Sequence, residues 1–203
     1  VKLLVDTDAF CKLMIGSIFE DAVHLLGAKL SECGRLPALP YMLRRGKLPT
    51  QYGKQACTSW GQIADRLPEI VQPGDRWLEP LAQIDNIDVG EAQLFAAAAR
   101  YGLRVLSGDK RALRALKGVA SLHAALSGRI VVLDAVLIAL CDRLGSDEIR
   151  KRVQPLTATD PIFRICFSNP ASDPRDCLRF YFDRLIAEVD PLILWKPPLG
   201  GRK

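Results

Sequence analysis

Short apolar runs alternate along this chain with stretches of roughly helical hydrophobic spacing. Lys2 to Val5 is a compact β-like run, and Leu103 to Ser107 and Arg129 to Leu133 are two more. Between and after them lie helical patterns. From about Ala9 to Leu30, Phe10, Leu13, Met14 and Ile18 recur at helical spacing, with Gly16 as a weak point. Asp88 to Arg100 places Leu94, Phe95 and Ala98 on one face, and Tyr101-Gly102 supplies the stop. Asp109 to Lys117 and Asp134 to Leu144 complete the regular part. Strands that alternate with helices predict right-handed βαβ crossovers, hence an α/β fold whose central sheet is mainly parallel and flanked by helices.

Other segments read less regularly. Gly34 to Pro40 is turn-like, and Tyr41 to Arg45 is a short helix that follows Pro40 and stops at Gly46. Lys47 to Gly61, polar and containing Gly and Pro, reads as loop; Ile63 to Val71 reads as helix despite Pro68. Leu81 to Ile87 fits neither pattern. Beyond about residue 150 the alternation ceases. Asp160-Pro161 and Asp173-Pro174 each have the form of a helix cap followed by proline at the first helical position, and Cys177 to Val189 continues as helix. The expected division is an α/β domain over 1–150 and a helical C-terminal extension over 151–203, packed on the same domain. Disorder is expected nowhere but in the Pro- and Gly-containing tail from Trp195 to Lys203.

Composition narrows the class. With 203 residues, 49% hydrophobic and 25% charged, the chain can bury one sizeable core. No apolar run is long enough to span a bilayer; Ile130 to Cys141 is too short and contains Asp134. The opening strand pattern leaves no room for a secretion signal, so a cytoplasmic location is expected. The six cysteines contain no CxxC pair and are expected to be reduced and partly buried. His24, on an apolar helix, reads as packed; His123 reads as exposed. The net charge of +5 permits a polyanionic partner without requiring one.

Three acids carry the chemistry. Asp6 ends the first strand, Glu91 opens the alanine-rich helix, and Asp109 follows the second strand. Each alone is equally a helix cap: Asp88 and Glu91 have capping-box spacing, and Asp109, Asp6 or Asp8 can cap the helix after it. Together they differ from caps. Parallel strands deliver their carboxyl ends to one edge, where sites form. Carboxylates gathered there repel unless a hard cation such as Mg²⁺ or Mn²⁺ lies between them.

The motifs Leu3-Leu4-Val5-Asp6-Thr7-Asp8, Gly90-Glu91-Ala92 and Leu106-Ser107-Gly108-Asp109-Lys110-Arg111-Ala112, in that order, resemble a PIN-domain protein. The likeness covers roughly residues 1 to 145. PIN domains serve as metal-dependent ribonucleases and as the toxins of toxin–antitoxin pairs. The resemblance implies a three-layer PIN-like fold, with Asp6, Glu91 and Asp109 (and Asp8 as a further ligand) around Mg²⁺ or Mn²⁺. It also implies hydrolysis of single-stranded RNA in the cytoplasm, an antitoxin or other protein partner, and pairing as a homodimer; no membrane is involved. The family's early-helix glutamate is missing, because Pro40 to Arg45 offers arginines instead. Asp8, Asp88 or, with a different register, Glu69 are the substitutes; otherwise the chain is an impaired module that binds RNA or a protein. Thr157-Ala158-Thr159-Asp160 looks like the last acid motif but comes too late in the chain. Arg44 and Arg45, and Lys110, Arg111 and Arg114, are the expected nucleic-acid contacts, while Tyr41, Tyr52 and Trp60 are candidates for stacking on bases.

Overall fold

A computed structural model describes residues 1–197; the expectation for the tail therefore lies outside the described residues from Pro198 onward. The first half of the chain contains β1 (Leu3–Val5), α1 (Thr7–Ile15), α2 (Phe19–Leu25), β2 (Cys33–Arg35), α3 (Leu39–Arg44), α4 (Lys47–Tyr52), α5 (Lys54–Arg66), α6 (Asp75–Leu78) and α7 (Val89–Tyr101). The second half contains β3 (Arg104–Ser107), α8 (Lys110–Leu116), α9 (Ala120–Leu126), β4 (Ile130–Val132), α10 (Leu133–Leu144), α11 (Ser146–Val153), α12 (Pro161–Phe167) and α13 (Pro174–Val189). The architecture is α/β, as the alternating pattern implies. Its four-stranded sheet is parallel throughout, in the order β2-β1-β3-β4.

That order positions the site. From β1 the chain steps to β2 on one side; from β2 it crosses back over β1 to β3, and then outward to β4. Right-handed crossovers put α1 and α2 on one face, and the later connections, which run the opposite way, on the other. Packing agrees with this division: α7 lies on β1 and β3 beside α9, and α10 packs against α2. The strand order thus reverses between β1 and β3, whose ends are joined by the bond from Asp6 N–H to the Leu106 carbonyl, 2.9 Å. A crevice opens at such a switch point beyond the carboxyl ends of the strands.

Burial explains the strands. Leu3, Leu4, Val5, Val105, Leu106, Ile130, Val131 and Val132 are all buried, as expected of a sheet covered on both faces. Both edges are extended by single bridges, Arg35 with Glu69 and Ile130 with Leu194, so neither edge strand stands open along its whole length. One continuous core runs from Leu3 to Leu194 and includes Leu178, Phe182, Leu185 and Val189 of α13. α13 packs on α10 and α8.

Five readings of the sequence are corrected. The turn-like stretch begins with strand β2, whose central Gly34 gives no β-branched signal. Glycine is needed there because a Cβ would come 2.9 Å from Leu4 Cδ2 and from Val1 Cγ1. The Lys47 to Gly61 loop is helix: α4 and most of α5, separated by Gly53 with φ +89° and preceded by Gly46 with φ +95°. Cys57, Trp60, Gly61 and Ala64 form the buried face of α5, a helical spacing hidden by weakly apolar residues. The helix expected over Ile63 to Val71 ends at Arg66, and Leu67 is extended ahead of Pro68. His24 is exposed rather than packed, and His123 is half-buried in α9 with Nε2 2.9 Å from the Lys117 carbonyl. Five of the six cysteines are buried, and all are free. Among the described residues no helix is long and apolar enough to cross a membrane.

Candidate functional site

The crevice beyond β1 and β3 is a cavity of about 790 Å³. Asp6, Asp8, Asp88, Glu91, Asp109, Asp134 and Asp160 line it, against only Lys12, Lys110 and Arg111 as cations among the described residues. All three acids singled out in the sequence therefore meet one cavity, each delivered by a different element. They do not make a closed centre: among the described residues, no three acid, histidine or cysteine side chains are grouped so as to hold a metal ion.

Each acid has a distinct environment. Asp6 stands at the N-cap position of α1 without a side-chain capping bond. It is buried, and burial followed by the charge of Asp8 pushes its pKa from 3.8 up to about 6. Glu91 is also buried. Its carboxylate accepts the Asp88 N–H at 2.8 Å while Asp88 accepts the Glu91 N–H at 2.8 Å, a closed capping box. The capping explanation is correct for this pair, yet the side chains still face the cavity. Burial, and then the charges of Asp88, Asp109 and Asp6, push Glu91 up from 4.5 to about 7, against the pull of its bond to the Asp88 backbone. Asp88, Asp109 and Asp6 are thus near enough to oppose the ionisation of Glu91.

Asp109 is held differently. It caps α8 by accepting the N–H groups of Arg111 (2.7 Å) and Ala112 (3.3 Å), and it pairs with the Arg111 guanidinium at 2.8 Å. Although burial opposes it, bonding to Arg111 and Ala112 leaves the Asp109 pKa below the usual carboxylate value. The other cations are also engaged. Lys12 bridges Asp8 (2.9 Å) and Asp160 (2.8 Å), and Lys110 pairs with Asp134 and lies 5.6 Å from the centre of the Tyr181 ring. Among the described residues, no lysine or arginine pairs with Asp6, Asp88 or Glu91. These three are the uncompensated face of the cavity.

Lys12, Asp134 and Asp160 are absent from the sequence-derived site. Asp160 corrects the expectation that its motif comes too late: α12 folds back so that its N-cap reaches the cavity. Asp134 is separated from buried strand β4 by one residue, nearly the same signal that marks Asp6. Lys12 stands four residues after Asp8 on one helix, an ion-pair spacing visible in the sequence. Glu69 is exposed and bonded to Arg35, and it is not among the lining residues.

The expected basic contacts divide. Lys110 and Arg111 line the cavity; Arg114 lines a neighbouring one that shares Arg111, and it is paired with Glu188 at 2.6 Å. Arg44 pairs with Asp65, and neither Arg44 nor Arg45 lines the acidic cavity. Tyr52 is a lining residue whose ring centre lies 5.5 Å from that of buried Trp60; Tyr41 is exposed on α3. Comparison with protein-family models, with curated proteins and with solved structures found no match to this chain.

Proposed function

We propose that this chain is a PIN-like, Mg²⁺- or Mn²⁺-dependent ribonuclease that hydrolyses single-stranded RNA in the cytoplasm. The observation that carries the reading is the uncompensated set Asp6, Asp88 and Glu91 in one cavity at the switch point of a parallel sheet. Asp6 and Glu91 are buried and Asp88 is exposed beside them; buried carboxylates without a cation are costly, and a hard divalent ion with oxygen preference relieves that cost. The donor chemistry suits such an ion, being all oxygen, but the three carboxylates are not drawn into a closed centre; binding would have to bring them together.

In this reading Asp6, Glu91 and Asp88 hold the ion, with Asp109 and Asp8 beside them. The bound ion would supply positive charge to a phosphodiester and make an attacking water easier to deprotonate. The chain's own groups do the rest. Lys110 and Arg111 stand at the same cavity to take phosphate oxygens of the substrate, contacts that position a strand without reading its sequence. Tyr52, backed by Trp60, offers a ring face to an unpaired base. The test is cleavage of an unstructured RNA with Mn²⁺, by wild type and by Glu91→Gln. EDTA and the substitution are each expected to abolish cleavage. Cleavage that survives both rejects the assignment.

One observation favours a second reading, a non-catalytic module that binds RNA or a protein. Asp109 is tied to Arg111 and to its own helix, and α3 carries no acid where the resembled family has one. That reading expects salt-sensitive RNA binding with no cleavage under any metal.

A further inference from the structure

Two thiols meet between α12 and α13. The Cys166 thiol donates to Cys177 Sγ at 2.7 Å, only about 0.7 Å beyond the length of a bonded sulfur pair. Cys166 is fully buried and Cys177 is half-buried, while the other four cysteines are buried. The pair therefore has one sulfur that a small reagent in solution can reach and one that meets its neighbour instead.

The backbone on both sides holds this approach in place. The cysteines are 11 positions apart, and the segment joining their helices is fastened to α11. Arg150 of α11 donates to the carbonyls of Phe167 (2.9 Å), Asn169 (2.6 Å) and Ser172, so the connection closes around one guanidinium. Asp173 then caps α13 by accepting the Arg175 N–H at 2.9 Å, and it also accepts the Ser146 hydroxyl at 2.8 Å. At the far end of α12, Asp160 accepts the N–H groups of Ile162 and Phe163. With both helices anchored, the sulfurs are held side by side, which favours reaction within the pair over reaction with a second molecule.

We propose that Cys166 and Cys177 are a thiol–disulfide exchange site, at which a small disulfide of the glutathione class closes a reversible cross-link between α12 and α13. The Cys177 thiolate attacks one sulfur of the reagent and releases the other as a thiol, leaving a mixed disulfide on Cys177. Cys166 then loses its proton and attacks Cys177 Sγ, and the second small thiol leaves with a proton. Two electrons and two protons pass from the cysteines to the reagent, whose S–S bond breaks as the new one forms. Burial pushes the Cys166 thiol up, and bonding to Cys177 and the charge of Cys177 raise it further. The contributions of Cys177 vanish once it carries the reagent, so the first step prepares the second. Pro161, Ile162 and Phe163 of α12 line the acidic cavity, so the cross-link ties one cavity wall to α13. It requires neither a bound metal nor RNA cleavage.

The experiment is incubation of the purified chain with oxidised glutathione, followed by alkylation, peptide mapping by mass spectrometry and thermal melting. Wild type is expected to yield a cross-linked peptide pair containing Cys166 and Cys177, reversed by dithiothreitol. The oxidised chain is expected to melt about 5–10 °C above the reduced one. Cys166→Ser is expected to stop with glutathione on Cys177, and Cys177→Ser to take up none at Cys166. Wild type without the link, or with glutathione retained on Cys177, overturns the proposal, as does an oxidised chain that melts no higher than the reduced one. Glutathione on Cys166 in Cys177→Ser overturns the order of attack and the proposal with it. The wild-type map decides the matter if either variant does not fold.

Discussion

Gly108 lies directly against the carboxylate of Asp8: a Cβ at position 108 would come 2.6 Å from Asp8 Oδ2. A side chain there forces that carboxylate, the free end of a partly exposed side chain, to turn away. Gly108→Ala is expected to displace Asp8 and loosen its ion pair with Lys12, at a cost below about 1 kcal/mol because the displaced group can rotate into solvent. Urea unfolding of wild type and Gly108→Ala measures it, and a much larger loss contradicts this account.

The raised pKa of Asp6 makes metal-free stability depend on pH. The folded chain holds this proton more tightly than the unfolded chain, with a pKa of about 6 against an ordinary 3.8. The stabilising contribution is therefore complete below about 3.8 and is lost as pH rises through 6. Acidification from pH 8 to pH 5 should favour wild type over Asp6→Asn by about 1 kcal/mol. Glu91, raised to about 7, acts in the same direction in both proteins. Denaturant unfolding in EDTA at the two pH values reads the difference, and parallel behaviour of the two proteins contradicts the assignment.

What the sequence revealed and what it hid have separate physical causes. β1 and β4 are legible as compact runs of buried aliphatic residues, and β3 by its buried Val105 and Leu106. α7 was legible because Asp88, Glu91 and the left-handed Gly102 mark both of its ends. β2 was hidden because three residues centred on glycine carry no strand signal, and α5 because cysteine, glycine and alanine make a faint apolar face. At the site, strand-end acids could be found by local position, which identified Asp6 and Asp109. Ion pairs across the chain could not: the joining of Lys12 to Asp160 is set by how α12 packs back on the sheet domain, a long-range outcome with no local pattern. Nor could local spacing show that the Asp109 carboxylate is taken up by Arg111.

Asp88 has two roles that substitution separates. Asp88→Ala removes the cap of α7 and is expected to destabilise the fold by about 1 kcal/mol, as loss of an N-cap does. Asp88→Ser keeps a capping oxygen and should retain most of the stability. Both are expected to weaken Mn²⁺ binding, since both remove a carboxylate from the uncompensated face. Thermal melting and a metal titration of the two variants check this. A serine variant with wild-type metal affinity removes Asp88 from the ligand set.

Arg111 is exposed and its pair with Asp109 is correspondingly weak. Arg111→Ala frees that carboxylate, so Mn²⁺ affinity is predicted to rise modestly, as release from an exposed, solvent-screened pair allows. Calorimetry measures the change. A fall in affinity shows that Asp109 plays no part near the ion.

The most direct measurement is the rate at which wild type and Asp6→Asn cleave an unstructured RNA in Mn²⁺, with unfolding curves taken to show that both are folded. The account predicts metal-dependent cleavage by wild type and a rate at least about 100-fold lower in the variant, since even groups that merely support a metal's ligands can matter that much. Equal rates in the two proteins, or no cleavage by a metal-bound wild type, contradict it.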